Sequence, residues 1–183
     1  MESNTLVVTP GTYRLDPIHS SVGFAVLHKV SKFRGGFGTI DATLTADVDG
    51  ALALSGSAGV ASVLVKDPNM AAHLQSPDFF DAERHPDATF RSTSVRAGAD
   101  GTLAVSGELA LRGTTRAVEA SGTLSFVADD GHGRPRVGLD LETVIDRNDF
   151  GISFVQELPG GGVNVESAVT ISVELELAGD GPA

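Results

Sequence analysis

From Val169 to Leu177 every second residue is apolar, with Val169, Ile171, Val173, Leu175 and Leu177 alternating with Thr170, Ser172, Glu174 and Glu176. A period of two is the mark of a strand with one face buried and one face wet. The same period recurs in Leu103, Val105, Gly107, Leu109 and Leu111, in Leu124 and Phe126, in Leu139 and Leu141, and in Leu44, Ala46 and Val48. Between these runs lie Asp49-Gly50, Asp100-Gly101, Arg112-Gly113 and Asp130-Gly131, pairs that tolerate positive φ and so predict hairpins. Many hairpin-linked strands and little helix call for closure, because closure removes unpaired edges. The fold class expected is all-β: an extended antiparallel barrel of about eight strands, wide enough inside to hold one small ligand.

Between Lys66 and Ser92 the alternation stops. Asp67 followed by Pro68 reads as an N-cap with a first-turn proline, and Met70 to Leu74 propagate a short helix. Ser76-Pro77 repeats the start signal before Asp78 to Arg84, and Pro86 ends that segment before Ala88 to Val95 returns to strand. The pattern predicts two short helices joining two strands across one end of the barrel.

Composition narrows what such a barrel does. The 183 residues carry a formal net charge of -11 and no cysteine, which removes disulfides, thiolate metal sites and thiol nucleophiles. The 13 Lys and Arg are scattered along the chain, so no basic stripe for nucleic acid is expected. The longest apolar run near the start is Leu6 to Val8, too short for a secretory core, and no window spans a bilayer; a cytoplasmic location is the expectation. No Gly-x-Ser-x-Gly, His-Glu-x-x-His or phosphate-binding glycine loop is present, so hydrolysis is a weak alternative. A ligand-free interaction barrel is the other. Nine phenylalanines against one tyrosine and no tryptophan supply apolar surface without polar tips.

Tyr13-Arg-Leu-Asp16-Pro-Ile-His19-Ser20, then Phe24, His28 and Gly36-Phe37, resemble the opening of the YceI-like family of lipocalin-like polyisoprenoid-binding proteins. The likeness continues through His73-Leu74, Asp78-Phe79-Phe80-Asp81, Pro86, Phe90-Arg-Ser92 and Gly107 to Gly113, and ends on Asp146-Arg147-Asn-Asp149-Phe150-Gly151. It covers residues 12–178 as one lipid-binding barrel, with flexible tails expected over 1–11 and 179–183. The resemblance implies an apolar tunnel for a polyisoprenoid lipid or prenyl quinone, no catalytic cofactor, no metal, no catalysis and a possible homodimer.

The ligand-binding positions nominated on this basis are His19, Phe24, Phe37, His73, Asp78, Phe79, Phe80, Phe90, Arg112, Arg147 and Phe150. Each has a plainer role. Phe24, Phe37, Phe90 and Phe126 sit at strand positions where phenylalanine fills a core. Adjacent Phe79 and Phe80 point about 100° apart on a helix, so one lines the tunnel while the other packs beneath. His19 and His28 stand nine residues apart, on opposite faces of an unbroken strand, which disfavours a metal cluster. His19 and His73 are expected to hydrogen-bond locally near the mouth, and Asp78 and Asp81 to complement a helix dipole. For Arg112 and Arg147 a head-group contact and an ion pair with Asp16, Asp78 or Asp149 both stay open.

Overall fold

The computed structural model describes residues 6–180. Among these residues there are eleven strand segments: β1 (Gly11–Leu15), β2 (Ser21–His28), β3 (Ser31–Phe37), β4 (Ile40–Ala46), β5 (Leu52–Gly59), β6 (Val63–Leu64), β7 (Asp87–Ala97), β8 (Thr102–Leu111), β9 (Thr114–Val127), β10 (Arg136–Asp146) and β11 (Val165–Gly179). Because β1 pairs with β4 while β2 pairs with β3, and β4 pairs with β5 while β3 pairs with β6, three couples of segments act as single kinked strands. β11 closes the ring on both β1 and β2. The result is an antiparallel, eight-stranded closed barrel in which each strand pairs with its sequence neighbours. The expected turns form as read: Gly50, Gly101 and Gly131 have positive φ, and Arg112 and Gly113 (φ 50° and 74°) make a two-residue hairpin between β8 and β9.

The two ends differ. At one end the inward side chains meet and exclude everything else: Leu44, Val137 and Leu177 are wholly buried beside Leu103, Leu124 and Leu139. Tyr13 plugs this end, and its hydroxyl donates to the Thr9 carbonyl at 2.7 Å. Val8 is buried against the same cluster and β11 runs to Gly179. Of the tails expected over 1–11 and 179–183, residues 1–5 and 181–183 lie outside the described residues. At the other end the strands stay apart. Here lie the β2–β3 and β8–β9 turns, the 66–86 insert and the 147–164 loop.

The insert corrects one expectation. Only its first helix forms, α1 (Pro68–Gln75), with Asp67 Oδ1 accepting the Met70 N–H at 2.9 Å. Residues 76–85 make overlapping turns instead of a second helix. Asp81 adopts φ 50°, which breaks helical propagation, and the N–H groups of Phe80 and Ala82 reach back to the Leu74 and Gln75 carbonyls at the end of α1. No helix among the described residues is long and apolar enough to cross a membrane.

Candidate functional site

Above the packed end the barrel encloses a cavity of about 560 Å³. That volume falls in the range of roughly 300–1,000 Å³ that holds one small molecule. Val165, Val169, Ile171, Val173 and Leu175 form one wall, so the alternation read from the sequence is the alternation that lines the cavity. Between Val169 and Leu175 the wall runs for about 20 Å of regular strand.

Phenylalanines supply the rest. Phe24 packs at 5.7 Å from Phe37, 6.3 Å from Phe33 and 6.4 Å from Phe80, between ring centres. Phe24 stands opposite Gly35 across the β2–β3 pair, and a Cβ on that glycine would meet its ring at 2.5 Å. Phe90 leans over Gly107 on β8 in the same way. These glycines let the rings lie along the wall, leaving the centre open. A second aromatic group stands at the mouth, where Phe79 and Phe154 (5.5 Å) flank the His73 ring edge-on. Phe79 and Phe80 both line the cavity, because the turn that carries them is not helical.

Of the positions nominated from sequence, Phe24, Phe37, His73, Phe79, Phe80, Phe90 and Arg147 line the cavity; His19, Asp78, Arg112 and Phe150 do not. Phe150 is 2% exposed and packs with Val60, Leu111, Ile145 and Ile152 behind the wall. Asp78 is exposed, and its carboxylate accepts a hydrogen bond from His73 Nε2 at 3.0 Å.

Arg112 donates from Nη1 to the Gly151 carbonyl at 2.7 Å and from Nη2 to the Pro77 carbonyl at 2.6 Å. It therefore ties the β8–β9 turn to the insert and to the 147–164 loop, and forms no ion pair with Asp16, Asp78 or Asp149. Arg147 is buried, with four of its five N–H groups given to the carbonyls of Ile152, Phe154, Val165 and Glu166. Burial pushes its guanidinium pKa down and the neighbouring Asp146 pulls it up; the group stays protonated.

His19 lies elsewhere, on the outer wall near the packed end. Its Nδ1 is 2.9 Å from Asp16 Oδ2, and the Arg136 guanidinium bridges Asp16 (2.8 Å), Glu176 (3.0 Å) and Asp130 (2.9 Å). The hydrogen bond from His19, with Arg136 next, holds the Asp16 carboxyl well below the usual carboxylate range. Asp16 in turn raises the His19 pKa. Ligand atoms of Asp16, His19 and Glu176 lie within 4.8 Å of one another, but Arg136 already occupies the space between the two carboxylates. A metal ion there would face a fixed positive charge.

Sequence reading passed over Phe33, Met70, Phe154, Gln156 and Asn164, all of which line the cavity. Phe33 had a local signal, since it alternates with Lys32 and Arg34. Phe154, Gln156 and Asn164 belong to an irregular loop with no period to read.

The sequence matches the YceI-like domain over residues 13–177. Protein YceI of Escherichia coli O157:H7 is 33% identical over 159 residues, 85% of this chain and 81% of that protein. A UPF0312 protein of Pseudomonas putida is 40% identical over 80 residues, and that match spans 44% of this chain and only 42% of the relative. Among solved structures, BcnA of Burkholderia cenocepacia superposes with a TM-score of 0.73 at 22% identity, covering 88% of this chain and 98% of BcnA. A polyisoprenoid binding domain from Saccharophagus degradans gives 0.67 at 14% identity, covering 94% and 100%. At such identities the likeness speaks for the fold. With the family match running from β1 to the last strand, the chain belongs to the YceI-like family.

Proposed function

We propose that this protein binds a polyisoprenoid lipid, a prenyl quinone or prenyl phosphate, and stores or carries it without transforming it. The observation that supports this best is the cavity itself: apolar, lined by rings and branched aliphatics, stopped at one end by a packed core and flanked at the other by polar groups. Each buried CH₂ contributes roughly 0.8 kcal/mol, so a few isoprene units offset the cost of immobilising the lipid. The head group would sit among His28, Gln156, Asn164 and the remaining N–H of Arg147. The polyisoprenoid binding domain of similar fold and membership of the YceI-like family point the same way.

The test is mass spectrometry of lipid extracted from the purified protein, paired with titration of a fluorescent prenyl probe. Bound prenyl lipid, and loss of probe affinity in Phe80→Asp, are the expected results. No extracted lipid and no probe affinity would leave a closed interaction barrel as the better reading. Turnover of a prenyl diphosphate that disappears in His73→Ala would replace binding with catalysis.

A further inference from the structure

Four of the 13 cations scattered along the sequence are gathered in space. The chain has only three lysines, Lys29, Lys32 and Lys66, and all three stand beside the cavity mouth. Lys29 is in the β2–β3 turn, Lys32 on β3 and Lys66 just past β6. Arg34 joins them. Phe33 faces the cavity, so Lys32 and Arg34 on either side of it face outward, and with Lys66 they line a shallow groove against α1. Phe33, Met70 and His73 line both that groove and the cavity, so the two adjoin. All four cations are exposed, and none forms an ion pair among the described residues. The groove's one carboxylate, Asp67, accepts the Met70 N–H.

Large aliphatic side chains stand exposed between these charges. Val30 is 95% exposed at the turn tip, Leu64 62%, Leu27 42% and Met70 37%. Leu27 lies directly across from Lys32 in the β2–β3 register. In a chain of net charge -11, a cluster of unpaired cations interleaved with protruding aliphatics is an unusual use of surface.

We infer that this rim docks the barrel, mouth first, on an anionic phospholipid bilayer. Lipid phosphates would neutralise the cations while Val30 and Leu64 enter the acyl boundary, an arrangement that satisfies both kinds of side chain. An acidic protein surface would answer the charges and leave the aliphatics in water. The acidic remainder of the molecule, including exposed Asp78, Asp149 and Glu157 on the rest of the rim, is repelled by the same bilayer, which turns the β2–β3 side of the mouth toward the lipid. A prenyl tail then passes between acyl layer and cavity past Phe33, Met70 and His73 with little exposure to water. The purpose of docking rests on the lipid-binding reading above, while docking itself is measured separately.

Flotation of the full chain with vesicles of phosphatidylcholine alone, or doped with phosphatidylglycerol, tests this. The wild type should float with the doped vesicles only, and added salt should release it. Lys32→Glu/Arg34→Glu/Lys66→Glu should weaken partitioning by on the order of 100-fold or more, and Val30→Asp should weaken it too. Arg91→Glu/Arg96→Glu/Arg116→Glu, the same charge change at exposed positions on β7 and β9, should not. Equal partitioning of the two triple variants, equal binding to both vesicle types, or binding to polyglutamate but to no vesicle would overturn the inference. Prenyl-probe affinity in vesicle-free buffer separates the two ideas: vesicle binding by a protein that takes up no probe sustains docking and removes only the cargo.

Discussion

Arg112→Ala is the substitution that best separates a residue that holds the mouth together from one that touches a ligand. The guanidinium makes two short hydrogen bonds, to Gly151 and Pro77 carbonyls, and charge-assisted bonds of this kind contribute about 1.5–3 kcal/mol each. Both carbonyls regain water when the side chain is cut, so the lower end applies and the pair amounts to about 3 kcal/mol. Against this, Arg112 Nε is buried without a partner, and removing it relieves a desolvation cost of about 1 kcal/mol. The net loss is about 2 kcal/mol, felt where the turn, the insert and the 147–164 loop meet. That corresponds to roughly a 30-fold rise in local opening, seen by hydrogen exchange in residues 76–85, with the β9 and β10 ladders unaffected. Prenyl-probe association and dissociation should both quicken, with affinity nearly constant. Unchanged exchange together with a selective loss of affinity for anionic over neutral prenyl head groups would refute this reasoning, since it would put the guanidinium on the ligand.

Arg147→Met should cost more, about 3–5 kcal/mol in denaturant unfolding, because four carbonyls of otherwise unpaired backbone lose their donor inside the protein. Arg147→Lys should recover only part of it, as one ammonium cannot reach the same set; a loss below about 1 kcal/mol in the Met variant would contradict the assignment. The Asp16–His19 pair predicts a pH dependence. A raised histidine pKa contributes below its ordinary value of 6.5 and fades as pH rises through the folded value, while the lowered Asp16 pKa contributes above 3.8 and fades as pH falls through its folded value. His19→Gln should therefore narrow the stability difference between pH 5 and pH 8.5, read from urea midpoints; an equal effect at both would remove the pair from consideration. Finally, Leu44→Ala in the packed end should cost about 2–5 kcal/mol, whereas Phe24→Ala, beside space that is already open, should cost less and enlarge the accepted ligand. Similar destabilisation by both would argue that the cavity collapses around its walls.

Much of the barrel was legible because its strands obey one rule repeatedly. Val169 to Leu177 alternates, and the same residues form a cavity wall and the edge of the core; Asp100-Gly101 and Arg112-Gly113 announce hairpins that form. What stayed hidden depends on contacts between distant segments or on a single dihedral. Asp81 is ordinary in a helical window, and nothing local shows that it takes φ 50° and ends the helix pattern after α1. Lys66 and Lys32 are far apart in the chain and become neighbours only through the β3–β6 pairing, which no local signal encodes. His19 was read toward the mouth, yet it precedes β2 and follows β1 at the level of Glu176, on the outer face of the wall.

The motif residues themselves acquire a different meaning once placed. Wherever this backbone leaves the ladder, its carbonyls lose their partners, and a cavity mouth is where that happens most. Arg112 and Arg147 meet this need directly, giving their donors to Pro77, Gly151, Ile152, Phe154, Val165 and Glu166. Ser76 Oγ does the same for the His73 carbonyl, while Asp67 and Asp146 meet the complementary need by accepting the N–H groups of Met70 and Asn148 at the starts of short helical turns. Arg112, Asp146 and Arg147, charged residues that mark the family in sequence, thus order the irregular rim, and the rim in turn positions Phe79, Phe80 and Phe154 over the opening. On the lipid-binding reading proposed above, selection among tails would follow from those rings and the glycines opposite them, and selection among head groups from His28, which belongs to the opening motif, and from Gln156 and Asn164, which belong to none.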